Sequence, residues 1–158
     1  MKYTVIRDTR EKQGWEFGET KYCAGTVDKA LKTGDYTLAG YENSVCIERK
    51  GSVEEIALNL MSVRFIKEMV RIKPYRHKYI VMEFSLYDLL TFPKNSRIPV
   101  HKRPKRYNGY TLLKKLVEIE LYYDVHIIYA GNSYYAQDYV TSLFKRITNN
   151  SYEEKVNK

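Results

Sequence analysis

Two carboxylates and a lysine lie within one short stretch of the sequence, at a spacing that could place them together. Two apolar-alternating runs, 35–39 and 44–50, flank a Gly-Tyr-Glu-Asn turn, a pattern typical of a β-hairpin. If the turn is symmetric, Asp35 lies directly opposite Glu48 on one face of the hairpin, with Cβ atoms about 5 Å apart. Lys50 follows Glu48 by two residues and therefore points to the same face.

This arrangement of charges is unfavourable unless a cation joins it. Like charges directly opposite one another destabilise a strand pair, so Asp35 and Glu48 need a compensating positive charge. A divalent metal with oxygen ligands supplies that charge. The sequence therefore predicts a metal-dependent hydrolytic site at the open end of the hairpin.

The charge of the chain is divided unevenly along its length. Residues 1–60 carry 9 Lys/Arg and 10 Asp/Glu, whereas residues 61–158 carry 18 Lys/Arg and 9 Asp/Glu. An acidic focus in an otherwise basic chain suits a polyanion held against bound metal. The alternative is that the basic residues only keep the protein in solution.

Hydrophobic periodicity and capping residues predict an α/β chain. The expected elements are, in order, a strand over 2–7, an irregular segment over 12–25, a helix over 27–32 capped by Thr26, the hairpin, one long helix from the capping box Ser52-x-x-Glu55 to Pro74, a strand over 79–84, a helix with Leu112, Leu116 and Leu121, a strand over 125–130, and an Asn132-capped helix to about Ile147. This order predicts a three-layer α/β sandwich around a central mixed β-sheet. We expect one domain over 1–148 and a polar tail over 149–158.

The cysteines and the apolar segments bear on the location of the protein. Cys23 and Cys46 have no metal-ligand spacing, and Cys46 falls in an apolar strand, where free cysteine is commonly buried. Neither a signal peptide nor a segment apolar enough to cross a bilayer is evident. These features predict a reducing, intracellular environment.

Three short motifs follow one another along the chain: Asp8-Thr9-Arg10-Glu11 after the first strand, then Gly34-Asp35, then Glu48-Arg49-Lys50. Together they resemble the signature of the XPF-family structure-specific endonuclease domain. The family pattern continues with an Asp at the position where this chain has Glu54. The resemblance runs from residue 1 to about residue 148. Family members usually carry a tandem helix-hairpin-helix domain after the nuclease domain. Because the sequence ends at Lys158, we do not carry over branched-DNA specificity or dimerisation through such a domain as expectations for this chain.

The resemblance implies a restriction-endonuclease-like core and hydrolysis of phosphodiester bonds that depends on Mg²⁺ or Mn²⁺. Asp35 and Glu48 would bind the metal, together with the main-chain carbonyl of Arg49. Lys50 would orient the attacking water or stabilise the charge of the transition state.

The Asp-x-Arg-Glu motif would extend this site. Asp8 would be a further metal ligand and Glu11 a further catalytic carboxylate, while Arg10 would hold a phosphate as a bidentate fork. Two structural alternatives stay open. An Asp8–Arg10 pair can simply stabilise the end of a strand. The Arg49 side chain, which alternation turns to the opposite face, can form a structural ion pair.

Two basic segments are candidates for DNA contact, because clustered cations give sequence-independent affinity for phosphates. They are the 94–107 loop and one face of the helix after Ser52, and their candidate residues are Lys102, Arg103, Lys105, Arg106, Arg64 and Lys67, with Arg71 continuing the helical spacing. The alternative in both places is an ordinary solvated surface.

These observations predict a metal-dependent DNA endonuclease, for which branched or flapped DNA in repair or recombination is one candidate substrate. Two alternatives are a DNA-binding module of nuclease ancestry without catalysis and a partner subunit of an active nuclease. The intact set of Asp35, Glu48 and Lys50 favours the enzyme, because a non-catalytic copy has no chemical need for three opposed charges. The expected partner is double-stranded or branched DNA, and the choice between monomer and homodimer stays open.

Overall fold

The computed structural model describes residues 1–103 and 107–149, in which one sheet carries helices on both faces. The strands of these residues are β1 (Tyr3–Arg7), β2 (Cys23–Asp28), β3 (Tyr36–Leu38), β4 (Val45–Lys50), β5 (His77–Met82) and β6 (His126–Tyr129). The α-helices are α1 (Val53–Asn59), α2 (Val63–Ile72), α3 (Leu86–Thr91), α4 (Gly109–Tyr123) and α5 (Ser133–Asn149).

The direction of β3 determines which chain segments meet at the edge of the sheet. The strand order is β2-β1-β3-β4-β5-β6. β3 is antiparallel to both of its neighbours, and the other neighbouring pairs are parallel. The carboxyl ends of β1 and β4 therefore meet the start of β3 at one edge, which carries all three motifs. The predicted three-layer sandwich around a mixed sheet is confirmed.

The hairpin of β3 and β4 has the predicted register. Tyr36 pairs with Ile47, which is the pairing that the symmetric turn requires. Gly34, directly before Asp35, has a φ of 78°, and a Cβ atom there would lie 2.5 Å from Cys46 Sγ. Glycine is therefore needed before Asp35 both for the left-handed backbone conformation and for the close approach of β4.

Two apolar cores fill the space on the two sides of the sheet. The core under α1, α2 and α4 includes Cys46, Ile56, Met69, Ile80 and Leu116. The core under α5 includes Val5, Tyr36, Ile47, Val140 and Phe144. Because successive strand residues point to opposite faces, Glu48 and Lys50 lie on the α1/α2 face with Cys46. Arg49 lies on the α5 face with Ile47.

The segment before the hairpin corrects one prediction. β2 occupies residues that the sequence assigns to an irregular stretch and to a helix over 27–32. The Thr26 hydroxyl caps no helix; it accepts the Phe17 N–H at 2.8 Å and donates to the Phe17 carbonyl at 3.1 Å. A helix of one or two turns is marginal by itself, whereas pairing with β1 gives this segment the hydrogen bonds of the sheet.

The helix after the hairpin is broken in two, which corrects a second prediction. Ser52 Oγ accepts the Glu55 N–H at 3.2 Å and starts α1 as predicted. A second serine, Ser62, accepts the Arg64 N–H at 3.1 Å and starts α2. Serine offers the backbone an alternative to the helical hydrogen bond, so the chain turns at Ser62 where apolar spacing alone suggests continuity.

The C-terminal half follows the prediction with shifts of a few residues at element ends. Asn132 Oδ1 accepts the Tyr135 N–H at 2.8 Å and caps α5 as expected. Helix α3, which begins at a capping box of Ser85 and Asp88, is not anticipated by the sequence analysis. Both cysteines are free. Residues 150–158 of the predicted tail lie outside the described residues. Among the described helices, none has the length and apolarity needed to cross a membrane.

Candidate active site

A polar cavity of about 320 Å³ lies at the edge of the sheet where the three motifs meet. The loop after β1, the start of β3, the end of β4 and one side of α2 form its walls. The charged residues that line it are Asp8, Arg10, Glu11, Lys32, Asp35, Glu48, Lys50, Arg64, Glu68 and Arg71. The fold thus brings together the five residues that the sequence analysis proposes as catalytic.

Glu48 and Lys50 form a buried ion pair beside Asp35. Lys50 Nζ donates to Glu48 Oε1 at 2.7 Å, and both side chains are 6% exposed. Asp35 is oriented by the backbone of the next strand, because its Oδ2 accepts the Arg49 N–H at 2.7 Å. Two carboxylates and one ammonium therefore share one wall, as the register predicts.

Burial and mutual repulsion disfavour ionisation of both carboxylates at once. Burial raises the pKa of Asp35 to about 6, although the Arg49 N–H and Lys50 oppose this shift. Burial and the Asp35 charge raise the pKa of Glu48 well above its usual value, against the influence of Lys50. Burial lowers the pKa of Lys50, but Glu48, Glu55 and Glu68 together outweigh burial and the net pKa is raised, so the ammonium keeps its proton. A further cation would favour the ionised form of both carboxylates.

Unpartnered oxygens gather in the same cavity. Within the described residues, the buried side-chain oxygens without a hydrogen-bond partner are Thr33 Oγ1, Glu48 Oε2 and Asn59 Oδ1. All three residues line the cavity. An unsatisfied buried polar group costs about 1–3 kcal/mol, and such groups in native proteins call for a water or an ion as partner. The free oxygen of Glu48 beside Asp35 therefore fits a cation ligand.

The presence of two neighbouring carboxylates, Asp35 and Glu48, fits the way in which Mg²⁺ binds to proteins. Over residues 1–103 and 107–149, no three His, Cys, Asp or Glu side chains lie close enough together to hold one metal. Mg²⁺ usually binds through one or two carboxylates and keeps several waters. The Asp35–Glu48 pair fits that mode of binding.

Asp8 and Arg10 form a clamp at the end of β1. Arg10 Nε donates to Asp8 Oδ1 at 2.7 Å, and Arg10 Nη2 donates to Asp8 Oδ2 at 3.0 Å. The Leu31 N–H also donates to Asp8 Oδ2, at 2.7 Å. Burial alone would raise the pKa of Asp8, but these hydrogen bonds outweigh it and the pKa is lowered. The clamp ties the segment before β3 to β1, and it uses the Arg10 fork that the sequence analysis assigns to phosphate.

The Arg49 side chain lies in an ion-pair network on the α5 face of the sheet. Its Nε and Nη2 donate to the two oxygens of Glu83 at 2.8 and 2.9 Å, and its Nη1 lies 3.4 Å from Glu11 Oε1. The Trp15 indole N–H donates to Glu83 at 2.7 Å. The Arg49 side chain therefore forms the structural ion pair that the sequence analysis gives as an alternative. Glu11 links this network to the cavity.

The cationic residues proposed for DNA contact fall into three groups. Arg64 lines the cavity, whereas Lys67 on the same helix does not. Lys102 is exposed, and Arg103 Nε donates to the Ile98 carbonyl at 3.0 Å; both lie away from the cavity wall. Lys105 and Arg106 lie outside the described residues.

Two charged residues that the sequence analysis does not predict as functional, Lys32 and Glu68, also line the cavity. Glu68 follows Arg64 by four residues and precedes Arg71 by three, so helical spacing alone places the three on one face. That spacing is enough to predict that Glu68 lies near the site once Arg64 and Arg71 are assigned to it. Lys32 lies in a segment whose path depends on β2, and the sequence carried no comparable signal for it.

Comparisons with known proteins identify a family for the chain and a related fold. A family profile described as ERCC4 domain matches residues 7–143. The fold is similar to that of XPF from Aeropyrum pernix, with a TM-score of 0.62 and 17% identity over 98% of this chain and 69% of that one. It is also similar to XPF from Aeropyrum pernix in complex with DNA, with a TM-score of 0.60 and 20% identity over 94% of this chain and 66% of that one. No curated protein sequence matches the chain.

Proposed function

The chain belongs to the ERCC4 domain family, a family of DNA endonucleases, and we propose that it is a divalent-metal-dependent endonuclease that hydrolyses phosphodiester bonds in double-stranded or branched DNA. The observation that carries this proposal is the unpartnered Glu48 Oε2 in a cavity shared with Asp35 and Lys50. The fold neighbour that was solved with DNA supports DNA as the polymer.

Asp35 and Glu48 are the proposed ligands of Mg²⁺ or Mn²⁺. The Arg49 N–H points toward Asp35, and the N–H and C=O of one strand residue point to the same side. The Arg49 carbonyl is therefore the third proposed ligand from the protein. A cation bound there would lower the pKa of a coordinated water and neutralise charge on the scissile phosphate.

Lys50 is the proposed stabiliser of the charge that develops on the phosphate. Its ammonium has three donors, and Glu48 Oε1 accepts one of them. The remaining donors can hold a non-bridging phosphate oxygen or orient the attacking water. Because the ammonium is already buried and paired with Glu48, it needs little reorganisation during the reaction.

The Asp-x-Arg-Glu motif supports this site from the neighbouring strand. Both carboxylate oxygens of Asp8 accept hydrogen bonds, from Arg10 and from the Leu31 N–H, so its proposed role is to stabilise the wall of the cavity. Glu11 lines the cavity and is the proposed further carboxylate. The Arg10 side chain is 66% exposed, so its outer face can also contact the DNA backbone.

Arginines on α2 are the proposed contacts for phosphates next to the scissile bond. Arg64 and Arg71 are two turns apart and line the same cavity, a placement that follows a phosphate backbone along the helix. Lys102, Arg103, Lys105 and Arg106 are proposed to add sequence-independent affinity from the basic loop.

The direct test incubates the purified protein with flap, fork and plain duplex DNA of one sequence, in Mg²⁺, Mn²⁺ or EDTA. The expected result is cleavage that requires the metal and is lost in Asp35→Asn and Lys50→Ala. Salt-sensitive binding without cleavage of any substrate would instead identify a DNA-binding module. Failure to bind DNA, with stable association to another nuclease chain, would identify a partner subunit.

A further inference from the structure

Two adjacent glutamates at the start of α1 lie in different surroundings. Glu54, at the position of the family's Asp, lines a separate groove with Gly51 and Phe92. Glu55 turns back toward the catalytic strand. Its Oε2 accepts the Gly51 N–H at 2.8 Å, and its Oε1 lies 3.8 Å from Lys50 Nζ. Of these two glutamates, Glu55 is therefore the one whose carboxylate approaches Lys50.

The Glu55 side chain is held in place by the start of the helix. In a standard capping box, the third helical residue reaches back to the N–H of the capping residue. Here Glu55 reaches one residue further, to Gly51, while its own N–H donates to Ser52 Oγ at 3.2 Å. One carboxylate oxygen is thus fixed by the main chain, and the other is directed at Lys50.

A second anion would restrict the Lys50 ammonium more than Glu48 does alone. A lysine side chain is flexible, and its hydrogen-bond acceptor, Glu48, is also a proposed metal ligand. Phe65 adds only a ring at 5.6 Å from Lys50 Nζ. An anion that is not a metal ligand can hold the ammonium from another side.

We propose that Glu55 is a positioning residue that holds the Lys50 ammonium toward the scissile phosphate. The proposal rests on the endonuclease function proposed above. It assigns to the capping-box glutamate a second role, which its neighbour Glu54 does not share.

The test compares Glu55→Gln with Glu54→Gln. In Glu55→Gln the side-chain carbonyl oxygen can still accept the Gly51 N–H, so the helix start is kept while the negative charge is removed. Under saturating DNA we expect kcat to fall on the order of tenfold to a hundredfold, as for a misplaced catalytic group. We expect KM for DNA and the thermal midpoint to stay near the wild-type values. Glu54→Gln should match the wild type in all three, and Glu55→Asp, which keeps the charge on a shorter arm, should lose less kcat than Glu55→Gln.

A second measurement does not depend on cleavage. NMR order parameters of the Lys50 side chain in metal-free protein should fall in Glu55→Gln and not in Glu54→Gln. If neither the order parameters nor kcat change in Glu55→Gln, the proposal is wrong. It is also wrong if the thermal midpoint falls in step with kcat, because Glu55 is then only a helix cap. A wild-type protein that never cleaves DNA would contradict the endonuclease function, while the NMR comparison would still decide the role of Glu55.

Discussion

The end of β4 presents a charged cluster on each face of the sheet, and the two clusters differ in completeness. On the α5 face, Arg49 makes two hydrogen bonds to Glu83 and an ion pair with Glu11. On the α1/α2 face, Glu48 keeps one oxygen without a partner, and the pKa of Asp35 is raised to about 6. Consecutive residues of one strand thus belong to a completed network and to an incomplete one.

This difference indicates that the two faces of the motif have separate roles. The Arg49 network satisfies its charges with protein groups, so its contribution is to the stability of the sheet edge. The Asp35–Glu48–Lys50 cluster leaves an acidic position open, and such a site costs stability that a bound ligand returns. Alternation along the strand allows both clusters to be encoded in Glu48-Arg49-Lys50.

The largest expected effect is the loss of cleavage when the incomplete cluster loses a carboxylate. Glu48→Gln and Asp35→Asn should each lower the cleavage rate by at least about 10²–10³-fold, because a preorganised charge in the site is removed. Single-turnover cleavage with saturating metal measures the effect. Glu118→Gln, an exposed change on α4, is the matched charge control and should leave the rate unchanged. A Glu48→Gln rate near that of the wild type would contradict the proposed ligand set.

Breaking the complete cluster should act on stability instead. Arg49→Met leaves Glu83 and Glu11 without their cation. Because this network is only partly buried, we expect a loss of about 1–3 kcal/mol. Urea unfolding at neutral pH measures this loss. The double variant Arg49→Met/Glu83→Met should recover part of it. An Arg49→Met protein as stable as the wild type would show that the network is not structural.

Metal should stabilise the protein only through the incomplete cluster. At a Mg²⁺ concentration about 100 times Kd, we expect about 2.7 kcal/mol of added stability for a single site. Thermal unfolding with and without Mg²⁺ measures it. Glu48→Gln should show no added stability, whereas Glu118→Gln should respond as the wild type does. An equal response in Glu48→Gln would place the ion elsewhere.

Asp35 and Asp8 should respond to pH with opposite sign in metal-free protein. The folded pKa of Asp35 is about 6, above an unfolded value of about 3.9. Its contribution is therefore present at low pH and lost as pH rises from about 4 to 6, on the order of 3 kcal/mol. Unfolding free energies in EDTA should thus show Asp35→Asn gaining on the wild type across this range.

For Asp8 the folded pKa is lowered, so its contribution is present above the unfolded pKa and lost as pH falls through the folded pKa. Asp8→Asn should be less stable than the wild type by about 1–3 kcal/mol at neutral pH, and the difference should shrink in acid. Parallel pH profiles for Asp8→Asn and Asp35→Asn would contradict the distinction between a satisfied and an unsatisfied carboxylate.

The smallest expected effect concerns the cations that surround the incomplete cluster. Arg71→Gln should reduce the slope of log K against log salt by about 0.9 for one lost phosphate contact. Lys145→Gln, on the opposite face near Tyr22, should leave the slope unchanged. Fluorescence anisotropy with labelled DNA across a salt series gives both values. Equal slopes for the two variants would show that binding does not centre on the cavity.

Much of the site was predictable because its residues lie close together in the chain. The pairing of β3 with β4 depends on a tight turn and strict alternation, and both are readable in residues 34–50. The strands and helices after Pro74 have strong apolar patterns, and most were predicted to within a few residues. The break at Ser62 and the strand β2 were missed. Both depend on competition between local propensity and contacts with distant segments.

The sequence by itself determined the chemistry of the motif: two carboxylates and a lysine on one face of the hairpin, with an arginine turned to the other. The tertiary structure decided which of these charges are satisfied. Arg49 pairs with Glu83 just after β5. Asp8 pairs with Arg10 and accepts a hydrogen bond from the Leu31 N–H, whereas Lys50 satisfies only one oxygen of Glu48. Glu83 lies far from Arg49 in sequence, so the spacing of the motif does not reveal that contact. Within the described residues, Glu48 Oε2 has no hydrogen-bond partner. The proposed metal would bind at this oxygen.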